Sequence, residues 1–273
     1  MLRVNVIGAG KVARTFMLLF QGAKGIQTQD VFSRSIMSAE DAVEAAGGRA
    51  VTRLGQMRPA NLWFLTVPDD QIAAAAAELA ASGAKPSAIV HCSGCLSSAV
   101  LGPLLEAGWH TASCHPVLSF ADPFSARDQF AGTYCAVEGN EDAAALVSDV
   151  VSRLGGEPFP VDAEKKALYH AAAVFSINFA VVLQAVAAEA WAEAGVPDDV
   201  ATALRDKLLG GAAANVAKLG SQAALTGPAA RGDRAVLDAQ AKEVSAWHPD
   251  AGRIYRDLST LAGRLKATGK TLP

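Results

Sequence analysis

Two sets of residues in this sequence have the types and spacing to do chemistry. The first is Gly8-Ala9-Gly10-Lys11-Val12-Ala13, a G-x-G-x-x-[GA] run that follows a short, apolar, β-branched stretch from Leu2 to Ile7. Strand, glycine turn and helix in that order make a dinucleotide-binding fingerprint. Gly8 permits the turn, and Gly10 lets the backbone approach a pyrophosphate. Ala13 is small enough for the helix to lie on the strand. Lys11 and Val12 open a helix whose free N–H groups face phosphates. The plainer alternative is a glycine turn with no ligand. The second set centres on His170. Lys166 and His170 are four apart and share a helix face. A histidine can be protonated near neutral pH, so His170 could supply or relay a proton. Asn178 lies eight residues further, about 12 Å along a continuous helix. His170 and Asn178 could then hold opposite ends of a ligand pair but not one atom.

His115, before Pro116, ends a predicted strand and could position a ligand. His91 lies within a strand and reads as a core histidine, while Ser93 beyond it could meet cofactor or substrate. Thr226, Arg231 and Asp233 form a break between helices. That break either reaches a cleft, with Arg231 on a substrate carboxylate, or is fixed by an Arg231–Asp233 pair. The bland readings stay open for the others too: a satisfied helix histidine at 170, a solvated lysine at 166, a structural turn at 115.

The end of the second strand, residues 29–32, names the cofactor. An NAD site places an Asp or Glu there for the ribose 2′-hydroxyl; an NADP site replaces it with a group that takes the 2′-phosphate. This strand runs into Ser33-Arg34-Ser35. A guanidinium and two hydroxyls suit a phosphate, which points to NADP, against the alternative of a solvated loop arginine.

Positioning these groups requires alternating strands and helices. Strands are expected at residues 49–51, 62–67, 88–91, 111–114, 133–137 and 157–161, with helices at 38–46 and 141–154. Asp69-Asp70 should cap the alanine-rich helix that follows Val67-Pro68. This alternation predicts an α/β, mainly parallel, doubly wound sheet with ligands beyond the carboxyl ends of its strands. Val67-Pro68-Asp69, Cys92-Ser93-Gly94 and His115-Pro116 would then surround the same crevice as Gly8-Ala9-Gly10 and Ser33-Arg34. Strand signals stop near Asp162. One long helix is expected over 163–194, then helices from Asp198 or Asp199 toward Leu219, over 234–246, and from His248 through Leu265. The boundary is placed at 161, giving a dinucleotide-binding domain over 1–161 and a helical domain over 162–273. Its helices are rich in alanine, and pairing with a second copy is plausible, hence a homodimer.

Composition narrows the partners. Half of the 273 residues are apolar, and the net charge of −3 argues against a nucleic-acid surface. No apolar run of membrane-spanning length is expected, and a strand that begins at Leu2 leaves no room for a signal peptide. The four cysteines, Cys92, Cys95, Cys114 and Cys135, then read as reduced thiols in a cytoplasmic protein. Cys92-Ser93-Gly94-Cys95 is formally a C-x-x-C, but no second pair completes a zinc module, and no metal is expected.

The whole pattern resembles the group of pyrroline-5-carboxylate reductase, ketopantoate reductase and β-hydroxyacid dehydrogenases. More closely it resembles a bacterial family of Rossmann-like proteins with a helical C-terminal domain of unknown function. The resemblance rests on residues 6–13, on His91-Cys92-Ser93-Gly94, and on Ser113-Cys114-His115-Pro116 through Phe120. Residues 169–178, beginning Tyr169-His170, and residues 225–233 carry the remainder. It implies a Rossmann domain followed by an all-helical domain of the 6-phosphogluconate-dehydrogenase-like type. It also implies an NADP-dependent oxidoreductase acting on a small carbonyl or imine substrate. In β-hydroxyacid dehydrogenases a Lys and an Asn form an i, i+4 pair; here Lys166 is followed by His170. A non-catalytic NADP-binding regulator or sensor is the alternative that this departure favours.

Overall fold

The computed structural model describes residues 1–273, in two compact units, Met1–Ser176 and Ile177–Pro273. The first is built on an eight-stranded sheet: β1 (Leu2–Ile7), β2 (Ile26–Phe32), β3 (Arg49–Val51), β4 (Leu62–Leu65), β5 (Ala88–His91), β6 (His110–Pro116), β7 (Tyr134–Gly139) and β8 (Glu157–Pro160). The spatial order is β3-β2-β1-β4-β5-β6-β7-β8. Every neighbouring pair is parallel except β6 and β7, which run antiparallel. The chain winds outward from β1 in one direction and then from β4 in the other. This creates a switch point between β1 and β4, where such sheets bind ligands.

Helices α1 (Lys11–Gly22), α2 (Ile36–Ala46), α3 (Ile72–Ala81), α4 (Gly102–Glu106), α5 (Pro123–Asp128), α6 (Glu141–Arg153) and α7 (Lys166–Ser176) complete this unit. The central strands are apolar on both sides because helices cover both faces. Phe16 and Phe20 of α1, Phe64 of β4 and Phe130 fill one face, with Phe16 5.0 Å from Phe64 and 5.6 Å from Phe130 between ring centres. Trp63 and Trp109 meet edge-on at 5.3 Å on the other face, among side chains of α3 and α4. Such aromatic pairs add about 0.5–1.5 kcal/mol each beyond the area they bury.

One buried carboxylate ties the edge of the sheet together. Asp30 of β2 accepts from Arg49 at 2.9 Å and Arg58 at 2.7 Å, and from the Arg58 backbone N–H at 2.6 Å. Burial raises its pKa, but the Arg58 and Arg49 hydrogen bonds outweigh that and hold the carboxyl below its ordinary range.

The second unit holds α8 (Asn178–Glu193), α9 (Asp198–Leu219), α10 (Ser221–Ala224), α11 (Pro228–Arg231), α12 (Arg234–Trp247) and α13 (Pro249–Thr268). Gly252 lets α13 cross α12 closely; a Cβ there would stand 2.3 Å from Ser245 Oγ. His248 starts α13 by accepting the Asp250 N–H on Nδ1 at 3.2 Å.

Three expectations change here. The single helix over 163–194 is interrupted at Ile177, between α7 and α8. Ser176 Oγ bonds back to Ala172 O at 2.9 Å, a contact that often bends helices. The division between units also falls at Ser176/Ile177, not after residue 161, because the first turns of α7 pack on the sheet through Lys166, Tyr169 and His170. Finally, Ala163–Glu193 contains an 18-residue stretch of mean hydropathy 2.0 and is long and apolar enough by length and composition to cross a membrane. Val174, Ile177, Val181, Val182, Leu183 and Val186, interleaved with alanines, give the stretch that hydropathy.

Candidate functional site

A cleft of about 710 Å³ lies at the carboxyl ends of β1, β2, β4 and β5. Gly8, Ala9, Gly10, Lys11, Val12, Ser33, Arg34, Val67, Pro68 and Ser93 all line it, joined by Asp69 and Phe120. Gly8 adopts φ +105°, and a Cβ there would sit 2.8 Å from Thr66 Oγ1 and 2.9 Å from the Thr66 carbonyl. Only glycine meets both demands. The Gly8 N–H bonds Phe32 O at 2.8 Å, which ties the turn to the end of β2. Nothing stands within 4 Å of the position a Gly10 Cβ would take. Gly10 is the N-cap of α1; no side chain caps the helix and no acid stands in its first turn. The opening N–H groups therefore face the cleft with an unopposed helix dipole.

These residues fit a dinucleotide. The turn and the N–H groups of α1 would hold the pyrophosphate. Ser33 and Arg34 would hold the ribose end, where Arg34 is exposed and has no ion pair. Ser35 does not join them: its Oγ accepts the Ser38 N–H at 3.3 Å and caps α2. A serine immediately before a helix serves the backbone more readily than a ligand.

Beside the cleft, Asp69 departs from its expected cap. The N-cap of α3 is Gln71, with no side-chain bond, and Asp69 Oδ2 instead accepts from Ser93 Oγ at 2.7 Å. Ser93 Oγ accepts the N–H groups of Cys95 and Leu96 at 3.2 and 2.9 Å. His91 fixes the same loop from below: Nδ1 takes the Ser93 N–H at 3.2 Å and Nε2 faces Ser97 O at 3.1 Å. Burial, aided by the Lys166 charge, pushes the His91 pKa down to about 4. It is a core histidine that shapes the loop.

The loop leads to two further imidazoles. His115 of β6 and His170 of α7 stand edge to face, 5.2 Å between ring centres. A Cβ on Gly94 would be 2.3 Å from His170 Nδ1 and 2.8 Å from His115 Nε2, so both rings press on the Gly94 backbone. His115 Nδ1 is 3.0 Å from the Tyr169 hydroxyl, whose ring is braced edge-on by Phe159 at 6.1 Å. Burial, then the neighbouring His170 and Lys166, push His115 down to about 4. Burial raises the Tyr169 phenol above its usual value. His170 Nδ1 is buried without a hydrogen-bond partner.

Lys166 is neither solvated nor open to a ligand. It is 1% exposed, with Nζ donating to Leu96 O at 2.7 Å and to Ser113 Oγ, and pairing with Glu138 Oε1 at 3.4 Å. Glu138 in turn accepts the Ser98 N–H and hydroxyl at 2.8 and 2.7 Å. Burial lowers the ammonium pKa against the pull of Glu138. As a catalytic candidate Lys166 is therefore corrected: an enclosed charge pair anchors α7 to the sheet and sets the face that carries His170. The four thiols are free, and burial pushes Cys92 up to about 12.

Asn178, Thr226 and Arg231 belong to the second unit. Asn178 is exposed at the start of α8, and the break at Ile177 removes the straight-helix spacing from His170. Thr226 lines an apolar groove of about 410 Å³ among α8, α12 and α13. Arg231 is exposed at the end of α11 without an ion pair. The alternative of a pair with Asp233 does not form, since Asp233 caps α12 through the Val236 N–H at 3.3 Å. Asp69 and Gly94 were expected at the crevice without a stated role, whereas Tyr169 and Glu138 were not singled out as parts of this arrangement. Tyr169 was legible as a polar neighbour of His170; Glu138 gave no signal.

Comparison with known proteins finds two matching family models, the second of which begins within the first unit. Residues 1–116 match the model of a Rossmann-like domain, and residues 133–262 match DUF2520, a domain of unknown function. No curated protein sequence matches the chain. A Thermotoga maritima protein of solved structure is 27% identical, with TM-score 0.76 over 97% of this chain and 99% of that one. A Bacteroides fragilis protein assigned as an NADP oxidoreductase is 25% identical, with TM-score 0.74 over 96% and 98%. The fold extends to a Plasmodium falciparum pyrroline carboxylate reductase with NADP bound, at 10% identity and TM-score 0.61 over 96% and 98%. The chain thus joins an N-terminal Rossmann-like domain to a C-terminal domain of the DUF2520 type.

Proposed function

We propose that this protein is an NADP-dependent oxidoreductase that reduces a small carbonyl or imine compound. The observation that carries the reading is the loop Cys92-Ser93-Gly94. Its first two residues line the dinucleotide cleft, and the third lies against His115 and His170. A reduced nicotinamide bound there would supply the hydride. The imidazoles would hold and move the proton, with His115 Nε2 and His170 Nδ1 as the facing atoms. The likeness to the Bacteroides fragilis protein supports a dinucleotide-dependent activity. The test is NADPH consumption with a panel of aldehydes, α-keto acids and cyclic imines. Consumption with any of them supports the reading. Tight NADPH binding with no consumption supports the sensor alternative instead.

The preference for NADP rests on Arg34, an exposed guanidinium on the cleft with no carboxylate of its own. Arg34→Glu should weaken NADPH by about 2 kcal/mol, roughly thirty-fold, through the lost charge-assisted contact. NADH should change little. Fluorescence titration of both cofactors measures this, and equal losses for the two would refute the assignment.

A further inference from the structure

We propose that Tyr169 works through His115: its phenol holds the imidazole with the proton on Nε2, and replaces that proton when Nε2 releases it. This rests on the oxidoreductase reading above. The Tyr169 hydroxyl is 3.0 Å from Nδ1, while Nε2 is the nitrogen that faces Gly94. A phenol donates more readily than it accepts, so O–H to Nδ1 is the favoured direction and Nε2 keeps its hydrogen. The ring cannot drift: β6 pairs His115 with Ala136 of β7, His170 stands edge-on, and Phe159 braces the phenol.

Protonation makes the relay necessary. Three groups bear on His115 besides Tyr169 and burial itself: His170 and Lys166 disfavour its charge, Asp69 favours it, and the balance leaves it at about 4. At neutral pH the ring is therefore uncharged and cannot act as an imidazolium acid. A neutral ring can still give up the Nε2 proton if Nδ1 gains one at the same time. As the substrate heteroatom receives the electron pair of its double bond, the Nε2–H bond breaks and the heteroatom–H bond forms. The Tyr169 O–H proton moves to Nδ1, leaving a phenolate. Water then protonates Nε2, Nδ1 returns its proton to the phenolate oxygen, and the net proton has come from solvent.

The test uses the full-length chain labelled with nitrogen-15 in histidine, with and without NADP bound. At pH 7 the wild type should show His115 protonated on Nε2 and bare on Nδ1. Tyr169→Phe, which keeps the ring and its packing, should give a mixture of tautomers with NADPH affinity unchanged. With any substrate found in the panel, turnover should fall about 10²-fold. Only an imidazolium could then supply the proton, so the residual rate should rise about tenfold per unit as pH falls from 7 toward 5. Wild-type turnover should lack that slope. A merely structural tyrosine would lower the rate without adding it. A wild-type His115 protonated on Nδ1, or a Tyr169→Phe protein with unchanged tautomer, overturns the proposal. Absence of turnover with the whole panel counts against the oxidoreductase reading and leaves the tautomer result to decide on Tyr169.

Discussion

Gly94→Ala should disrupt the imidazole pair while sparing the dinucleotide cleft. The added methyl would lie 2.3 Å from His170 Nδ1, 2.8 Å from His170 Cε1 and 2.8 Å from His115 Nε2. No ordinary contact is that short, and both rings are wedged among neighbours, so at least one must move by an ångström or so. Overpacking of this kind costs about 1–3 kcal/mol. For a chain of this size that lowers Tm by roughly 2–4 °C per kcal/mol. Displacing a proton-transfer group by about 1 Å can cost on the order of 10²-fold in rate. Gly94 does not line the cleft, so NADPH affinity should stay within about threefold of wild type. A double variant, Gly94→Ala with His170→Ala, removes the closest clash. It should recover most of the lost Tm without recovering turnover, a strongly non-additive result. Calorimetry and cofactor titration measure this. A Gly94→Ala protein with unchanged Tm and unchanged histidine nitrogen shifts would refute the packing on which the site is built.

The second large effect concerns self-association, which we propose takes place through the second unit. Helix α8 buries none of its residues and α9 buries only Ala201. Val181 at 66%, Val182 at 52%, Leu208 at 57% and Leu219 at 53% exposure are the most open of ten exposed large apolar side chains on these two helices. A stable monomer seldom leaves an apolar patch above roughly 300–600 Å² uncovered. A second copy of the chain is the occupant that fits, because the apolar positions of α9 are interspersed with Arg205, Asp206, Lys207 and Lys218, which a bilayer interior would exclude. Light scattering at micromolar concentration should give a dimeric mass. Val182→Glu with Leu208→Glu should shift that mass to the monomer or leave the chain insoluble, since such dimers often lack a stable folded monomer. A monomeric mass for the wild type rules the dimer out, and flotation with liposomes would assign the apolar face to a membrane instead.

The sequence alone determined the dinucleotide cleft. Strand, turn and helix there are contiguous, and each requirement is local: positive φ at Gly8, an open approach at Gly10, a small residue at Ala13. The β–α alternation likewise dictated a mainly parallel sheet, and the loss of strand signals marked where helices take over. Ser35, Asp69 and Lys166 were not legible, because each side chain has two plausible partners and only tertiary neighbours choose between them. Ser35 turned to its own helix, Asp69 to a serine 24 residues away, and Lys166 to a carboxylate 28 residues away. The meeting of Gly94, His115, Tyr169 and His170 was decided by the fold for the same reason. Those residues come from β5's loop, the end of β6 and the first turns of α7, segments far apart in sequence. The buried Lys166–Glu138 pair joins α7 to the sheet, and an ion pair this enclosed exists only once the sheet has formed around it.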